Sequence, residues 1–196
     1  MGKIVDRSAA ADISYLIALG SNVGVDEIGP AEVLERALIS LRDRGFVIRA
    51  QSRFFQTPAF PEGSGPDFVN AAAVLGSAWS PDRALLELHA VEADLGRRRE
   101  LRWGARTLDL DMIAAEDLVL PNAQTHQYWR EMPLETQKSA APEELILPHP
   151  RLAERAFVLV PMLDVAPDWR HPVTGLSIKQ MHDALPQAMR DEVLAL

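Results

Sequence analysis

Residues 15–20, YLIALG, form a short apolar run that stops at a glycine and is followed by Ser21-Asn22. This is the pattern of a buried strand entering a turn. In PAEVLERALISLRDRG the positions Val33, Leu34, Ala37, Leu38 and Leu41 recur at helical spacing, with Pro30 near the start and Gly45 just past the end. A helix is predicted there. FVIRAQSRFFQ alternates instead, setting Phe46, Ile48, Ala50, Ser52 and Phe54 on one side of a strand and Val47, Arg49, Gln51, Arg53 and Phe55 on the other. A Pro/Gly-rich loop then leads into DFVNAAAVLG, read as a third strand. The next segment, SPDRALLELHAVEADLG, has Ser80 as N-cap, Pro81 at the first helical position and Gly96 at its end, with Leu85, Leu88, Val91 and Leu95 as its apolar stripe. RTLDLDMIAA, residues 106–115, reads as the fourth strand.

The order strand, helix, strand, strand, helix, strand predicts an α+β fold with a ferredoxin-like βαββαβ core. Its antiparallel sheet carries helices packed on one face and leaves the other face to a ligand. Residues 116–147 lack sustained periodicity and form too long a connection for an ordinary loop. LPHPRLAERAFVLVPML and LSIKQMHDAL then supply extra C-terminal elements, the second a last helix. The polar start predicts a flexible N-terminus over residues 1–13 and one domain over 14–196, with a long insertion at about 121–142.

Composition narrows the chemistry. A chain of 196 residues with 47% hydrophobic content suffices for one buried core. It has no cysteine, which excludes a disulfide framework, thiolate zinc and cysteine catalysis. No apolar run approaches the roughly 20 residues of a membrane span, and the first residues lack a signal-peptide core, so a cytoplasmic protein with no membrane contact is expected. A net charge of -8 argues against nucleic-acid binding. Yet five arginines crowd GRRRELRWGAR: Arg97, Arg98, Arg99, Arg102 and Arg106.

In the fourth strand the alternation puts Asp109 and Asp111 on one face with Thr107 and Ile113, and Leu108, Leu110 and Met112 on the other. A solvated strand face is the bland explanation. Like carboxylates are better tolerated around a cation, however, and Mg²⁺ typically takes one or two carboxylates plus substrate phosphates. With the arginines immediately upstream, the pair points to a Mg²⁺–nucleotide. Arg97, where the chain leaves the helix, and Arg106, directly before the strand, are the better phosphate candidates. Trp103 is placed to cover a flat ligand. Asn70 interrupts an apolar strand, where its amide either satisfies a neighbouring backbone or meets a heterocycle edge. The loop 57–66 is long for a plain hairpin, and His149 sits in LPHPR, ahead of Arg155. The chain contains no P-loop, no dinucleotide fingerprint and no Ser/His/Asp motif.

ALGSN at 18–22, FFQTP at 54–58, PDFVNAA at 66–72, GRRRELRWGARTLDLD at 96–111 and LPHPRLAERAFVLVP at 147–161 closely resemble the 6-hydroxymethyl-7,8-dihydropterin pyrophosphokinases of folate biosynthesis. The resemblance runs over almost the whole chain. It implies transfer of diphosphate from ATP to the hydroxymethyl group of the reduced pterin, giving AMP. It also implies two Mg²⁺ ions on Asp109 and Asp111, ATP contacts from Arg97, Arg106, His149 and Arg155, and a catalytic set of Arg97, Arg106, Asp109 and Asp111. Thr57, Pro58, Phe60, Phe68, Asn70, Trp103 and Phe157 fall at pterin positions, with Phe68 and Phe157 sandwiching the ring. A monomer is expected. The sequence departs from the family at Ala105, which replaces the commoner proline, at loop 59–65, and in a connection from Asp111 to His149 that is roughly 20 residues longer than in compact relatives. Two other classes use parts of the same residue set. A Mg²⁺-dependent phosphohydrolase or nuclease would use the aspartates without needing the Trp103, Asn70 and Phe157 pocket, and a catalytically silent ferredoxin-like nucleotide-binding module would not need Asp109 and Asp111 together with His149 and Arg155.

Overall fold

Strand β1 (Ile13–Ser21) is buried along nearly its whole length because it is covered on both faces. Tyr15, Ile17 and Leu19 enter one apolar core, and Leu16 and Ala18 enter another. That explains a continuous apolar run where a half-exposed strand alternates. A computed structural model describes residues 12–25, 27–59, 65–95, 107–133, 136 and 141–196. Within it β1 pairs antiparallel with β4 (Phe68–Ser77) on one side and with β5 (Asp109–Ala115) on the other. The outer side of β4 carries β2 (Val47–Gln51) and then β3 (Phe55–Thr57), and β3 takes the two-residue β6 (Leu194–Ala195) on its free edge. This strand order is the antiparallel arrangement expected of a βαββαβ chain.

Helices α1 (Pro30–Asp43) and α2 (Pro81–Asp94) cover one face. The stripe predicted for α1, Val33 to Leu41, is buried in full. In α2 the buried apolar residues are Ala84, Leu88 and Val91, while Leu85 and Leu95 are only partly covered. Ser80 caps α2 by accepting from the Arg83 amide at 3.4 Å.

The strand predicted over 46–56 is broken in two. Adjacent Phe54 and Phe55 pack into opposite cores, as alternation requires. Between the two strands Ser52 keeps contact with β4 through its amide, which donates to the Ala72 carbonyl at 2.9 Å, and its hydroxyl, which accepts from the Ala72 amide at 2.8 Å.

Two further expectations change. The segment 121–142 is not without regular structure, because α3 (Ala123–Glu131) starts there, capped by the Asn122 side chain accepting from the Thr125 amide at 2.9 Å. Its only buried residue is His126, so it lacks the apolar stripe by which helices are read. Nor is the second sheet face simply open. The apolar helix α4 (Ala156–Val165) covers Leu16, Ala18 and Ala72, backed by α5 (Ile178–Ala184). The five-residue α6 (Gln187–Asp191) leads to β6. Asp109 and Asp111 remain half-buried beside this cover. Among the described residues no helix is long and apolar enough to cross a membrane.

Leu120 and Leu147 exchange two backbone hydrogen bonds, of 2.8 and 3.2 Å, and so close the neck of the intervening segment. Replacing residues 121–142 with a short Gly/Ser linker is therefore expected to preserve cooperative unfolding and to lower the melting temperature moderately through loss of His126. Loss of the cooperative transition in thermal denaturation would make the segment part of the core.

Candidate functional site

Cross-strand register builds the site. Asn70 of β4 lies opposite Gly20 of β1, and Gly20 lies opposite Asp109 of β5; two residues back along β1, Ala18 lies opposite both Ala72 and Asp111. Directly opposed residues share a face, so Asn70, Asp109 and Asp111 project to the same side, and so does Phe68 at two residues from Asn70. Glycine and alanine form the floor between them. A Cβ on Gly20 would stand 3.1 Å from Asn70 Oδ1 and 3.9 Å from the Phe68 ring, so glycine leaves the Asn70 amide its space. The sequence reading of a buried strand that ends about Gly20 and enters a turn holds, since β1 ends at Ser21; what it did not show is that Gly20 is kept small by what a side chain would displace.

Asn70 is buried and donates from Nδ2 to Thr57 Oγ1 at 2.7 Å. Its amide is thus aligned by a hydroxyl, not by backbone. Pro58 follows at the exposed end of β3, and Phe68 is partly buried. The loop leading into β4 is tied back by Asn22 Nδ2 to the Pro66 carbonyl at 3.3 Å and by Gln56 Nε2 to Asp67 at 2.7 Å. Phe60, Arg97, Trp103 and Arg106 lie outside the described residues.

β5 holds its two aspartates because their neighbours are secured. Leu110 and Met112 are buried towards α2, and the Leu110 amide donates to the buried carboxylate Glu92 at 2.8 Å. Asp111 faces Arg155, whose guanidinium lies 3.4 Å from Oδ2 and 5.7 Å from the Phe157 ring centroid. Phe157 itself is 40% exposed at the start of α4. The His149 amide donates to the Ile113 carbonyl at 2.8 Å, which fixes the 148–151 turn beside the aspartates. His149 Nδ1 accepts from the Arg151 amide at 3.1 Å, leaving the ring proton on Nε2. Burial, then the positive charges of Arg155 and Arg151, hold this imidazole well below its ordinary pKa. A groove of about 850 Å³ runs from Asp111, His149 and Arg155 towards Leu85 of α2, Trp129 of α3 and Ile146.

Asp111, the Arg155 guanidinium and the His149 imidazole line a partly apolar groove beside a ferredoxin-like sheet, with Asp109 two residues from Asp111 on the same strand face. The sequence profile of the 7,8-dihydro-6-hydroxymethylpterin-pyrophosphokinase (HPPK) family matches residues 16–167, and the chain belongs to that family. It is 33% identical over 168 residues to the Synechocystis 2-amino-4-hydroxy-6-hydroxymethyldihydropteridine pyrophosphokinase, covering 85% of this chain and 73% of that one. The Haemophilus influenzae enzyme of the same name is 34% identical, covering 80% and 83%. The Pseudomonas aeruginosa one is 33% identical, covering 87% and 90%. Among solved structures, wild-type Plasmodium falciparum HPPK-DHPS superposes with a TM-score of 0.57 at 12% identity, over 88% of this chain and 44% of that one. An HPPK-DHPS solved with substrates gives 0.59 at 10% identity, over 89% and 43%. The chain spans less than half the length of those two structures, and the likeness to them is one of fold.

Sequence reasoning missed the support under His149. His126 Nε2 donates to the Pro148 carbonyl at 3.0 Å, and its ring meets His171 edge-on with centroids 5.6 Å apart. His171 Nδ1 in turn accepts from the Val173 amide at 3.1 Å. Dispersed along the chain, these histidines carried no local signal. Burial lowers the pKa of both; that of His171 falls to about 4, with His126 and Arg130 as further causes. A depressed histidine is neutral in the fold but protonates in the unfolded chain, so its contribution is present above about pH 6.5 and is lost as pH falls towards about 4. For His171 alone this amounts to about 2 kcal/mol between pH 7 and pH 5. Melting curves at the two pH values are expected to show that loss, and His171→Asn, which keeps an acceptor, should flatten it. An unchanged pH dependence in the variant would remove His171 from this role.

Proposed function

We propose that the chain transfers the β,γ-diphosphate of ATP to 6-hydroxymethyl-7,8-dihydropterin, giving AMP and the pterin diphosphate. The observation that carries this reading is the register that sets Asp109, Asp111 and the Thr57-aligned Asn70 on one sheet face, with Arg155 reaching Asp111. Membership of the pyrophosphokinase family supports the same reaction.

Asp109 and Asp111 fit Mg²⁺: they are hard oxygen donors on one face of an edge strand, half-buried, and Asp111 has a cation beside it. They would hold two ions together with the phosphates. When bound, Mg²⁺ supplies charge neutralisation at the phosphate oxygens and at the leaving AMP. The residues of the chain bind and orient. Arg155 and His149, with Arg97 and Arg106, are assigned to ATP; the neutral His149 donates its Nε2 proton to a phosphate oxygen without needing to titrate. Thr57, Pro58, Phe60, Phe68, Asn70, Trp103 and Phe157 are assigned to the pterin, the amide reading its edge and the rings covering its faces. The pterin hydroxyl oxygen then forms its bond to the β-phosphorus as the bond from that phosphorus to the α,β-bridging oxygen breaks; AMP leaves with that oxygen and the hydroxyl proton passes to water. Alignment of these groups is what the enzyme contributes, and no covalent enzyme intermediate is required. A phosphohydrolase would leave the Asn70–Thr57 pair without a purpose. Both cores lie on one sheet, which supports a single domain over residues 14–196.

Appearance of AMP from ATP, Mg²⁺ and the reduced pterin tests the reaction directly. Asp109→Ala and Asp111→Ala are each expected to abolish it while unfolding stability changes by only about 1 kcal/mol, since these half-exposed groups supply little packing. AMP formation near the wild-type rate by either variant would defeat the metal assignment.

Phe68→Ala or Phe157→Ala should weaken pterin binding by about 1 to 3 kcal/mol and change Mg²⁺–ATP binding much less. Calorimetry with each ligand separates the two, and equal losses for both would argue against a pterin sandwich.

A further inference from the structure

One wall of the groove beside Asp111 has no part in the reading above: Trp129, a half-buried side chain of α3. Leu85, Leu86, Met112, Leu145 and Ile146 supply further apolar lining. Asp111, His149 and Arg155 line the same groove and attract phosphates and their metal to one part of it. Acidic Asp82, Glu143 and Glu144 also line it and repel phosphates from theirs. A nucleotide placed by its triphosphate therefore has its uncharged base among the apolar residues, and about 850 Å³ is room enough for it.

We infer that Trp129 is the nucleobase-contacting residue of the ATP site, covering a face of the adenine, so that α3 serves as a nucleotide-binding element. The inference rests on the ATP reading of Asp111, His149 and Arg155. His126 and Trp129 are three apart on α3 and so lie on one helix face. The first is anchored to the Pro148 carbonyl, next in the chain to His149; the second borders the groove. The His126 contact thereby ties the position of the aromatic wall to that of the phosphate-side imidazole. Tyr128 meets Trp129 edge-on, with centroids 6.0 Å apart, and limits where the indole can turn.

The test compares wild type, Trp129→Ala and Trp129→Phe by calorimetry in Mg²⁺, with α,β-methylene-ATP as the nucleotide and inorganic tripolyphosphate as a probe lacking the base. Trp129→Ala is expected to weaken nucleotide binding about 5- to 100-fold, the range for loss of a stacking partner. Trp129→Phe should restore most of it, and tripolyphosphate should bind all three alike. Nucleotide should also quench tryptophan emission in the wild type and not in Trp129→Phe, a readout that holds even if the alanine variant folds poorly. Unchanged nucleotide affinity in Trp129→Ala, or an equal loss for tripolyphosphate, overturns the inference and leaves the ATP reading standing. Wild-type protein that binds neither probe overturns both.

Discussion

Antiparallel pairing of β1 with β4 and β5 at once is the constraint on which the rest depends. A strand flanked on both sides and covered on both faces has no freedom of register, because a slip of one residue would turn Tyr15, Ile17 and Leu19 out of one core and into the other. That rigidity passes to the neighbours. With Gly20 between Asn70 and Asp109, the amide and the carboxylates are separated by backbone spacing and not by flexible loops. The polar residues thus stand on the best-packed part of the molecule, as a site that relies on alignment needs.

Electrostatics acts as a second layer on this scaffold. Two carboxylates on one strand face repel each other, and the fold tolerates them by placing Arg155 beside one of them. The histidines follow the opposite rule: burial keeps His126, His149 and His171 uncharged, so hydrogen bonds to backbone position them instead of ion pairs. Positive charge near the aspartates is thereby concentrated in guanidinium groups, which do not titrate in the physiological range.

Much of the architecture was legible because it follows from periodicity. The α1 stripe and the faces of β5 from Asp109 onward derive from repeats of 3.6 or 2 residues and came through, although β5 begins at Asp109 and not at 106 as read. The strand over 46–56 was overextended, since alternation persists through Ser52 although the strand pairing is interrupted there. Helix α3 was invisible for a different reason: the residue it buries is a histidine, bonded to a carbonyl, and not an apolar stripe. Of the candidate site residues, Asp109, Asp111, Asn70 and Trp103 drew attention as residues out of place in the local sequence pattern. Thr57, Phe68 and Phe157 fit their surroundings, so only the family resemblance marked them. Gly20 was legible as the end of a strand, but its value as a small residue appears only when β4 is laid beside it.

The Glu92 contact has a consequence for how the molecules behave in company. β5 is an edge strand, and an edge strand presents unpaired amides to which a strand of another molecule can add. At Leu110, between the two aspartates, that amide is already occupied by a carboxylate delivered from α2. An incoming strand would have to displace the buried, hydrogen-bonded Glu92 side chain. At this position the edge of β5 therefore offers no free donor from which a strand of another molecule could begin to pair.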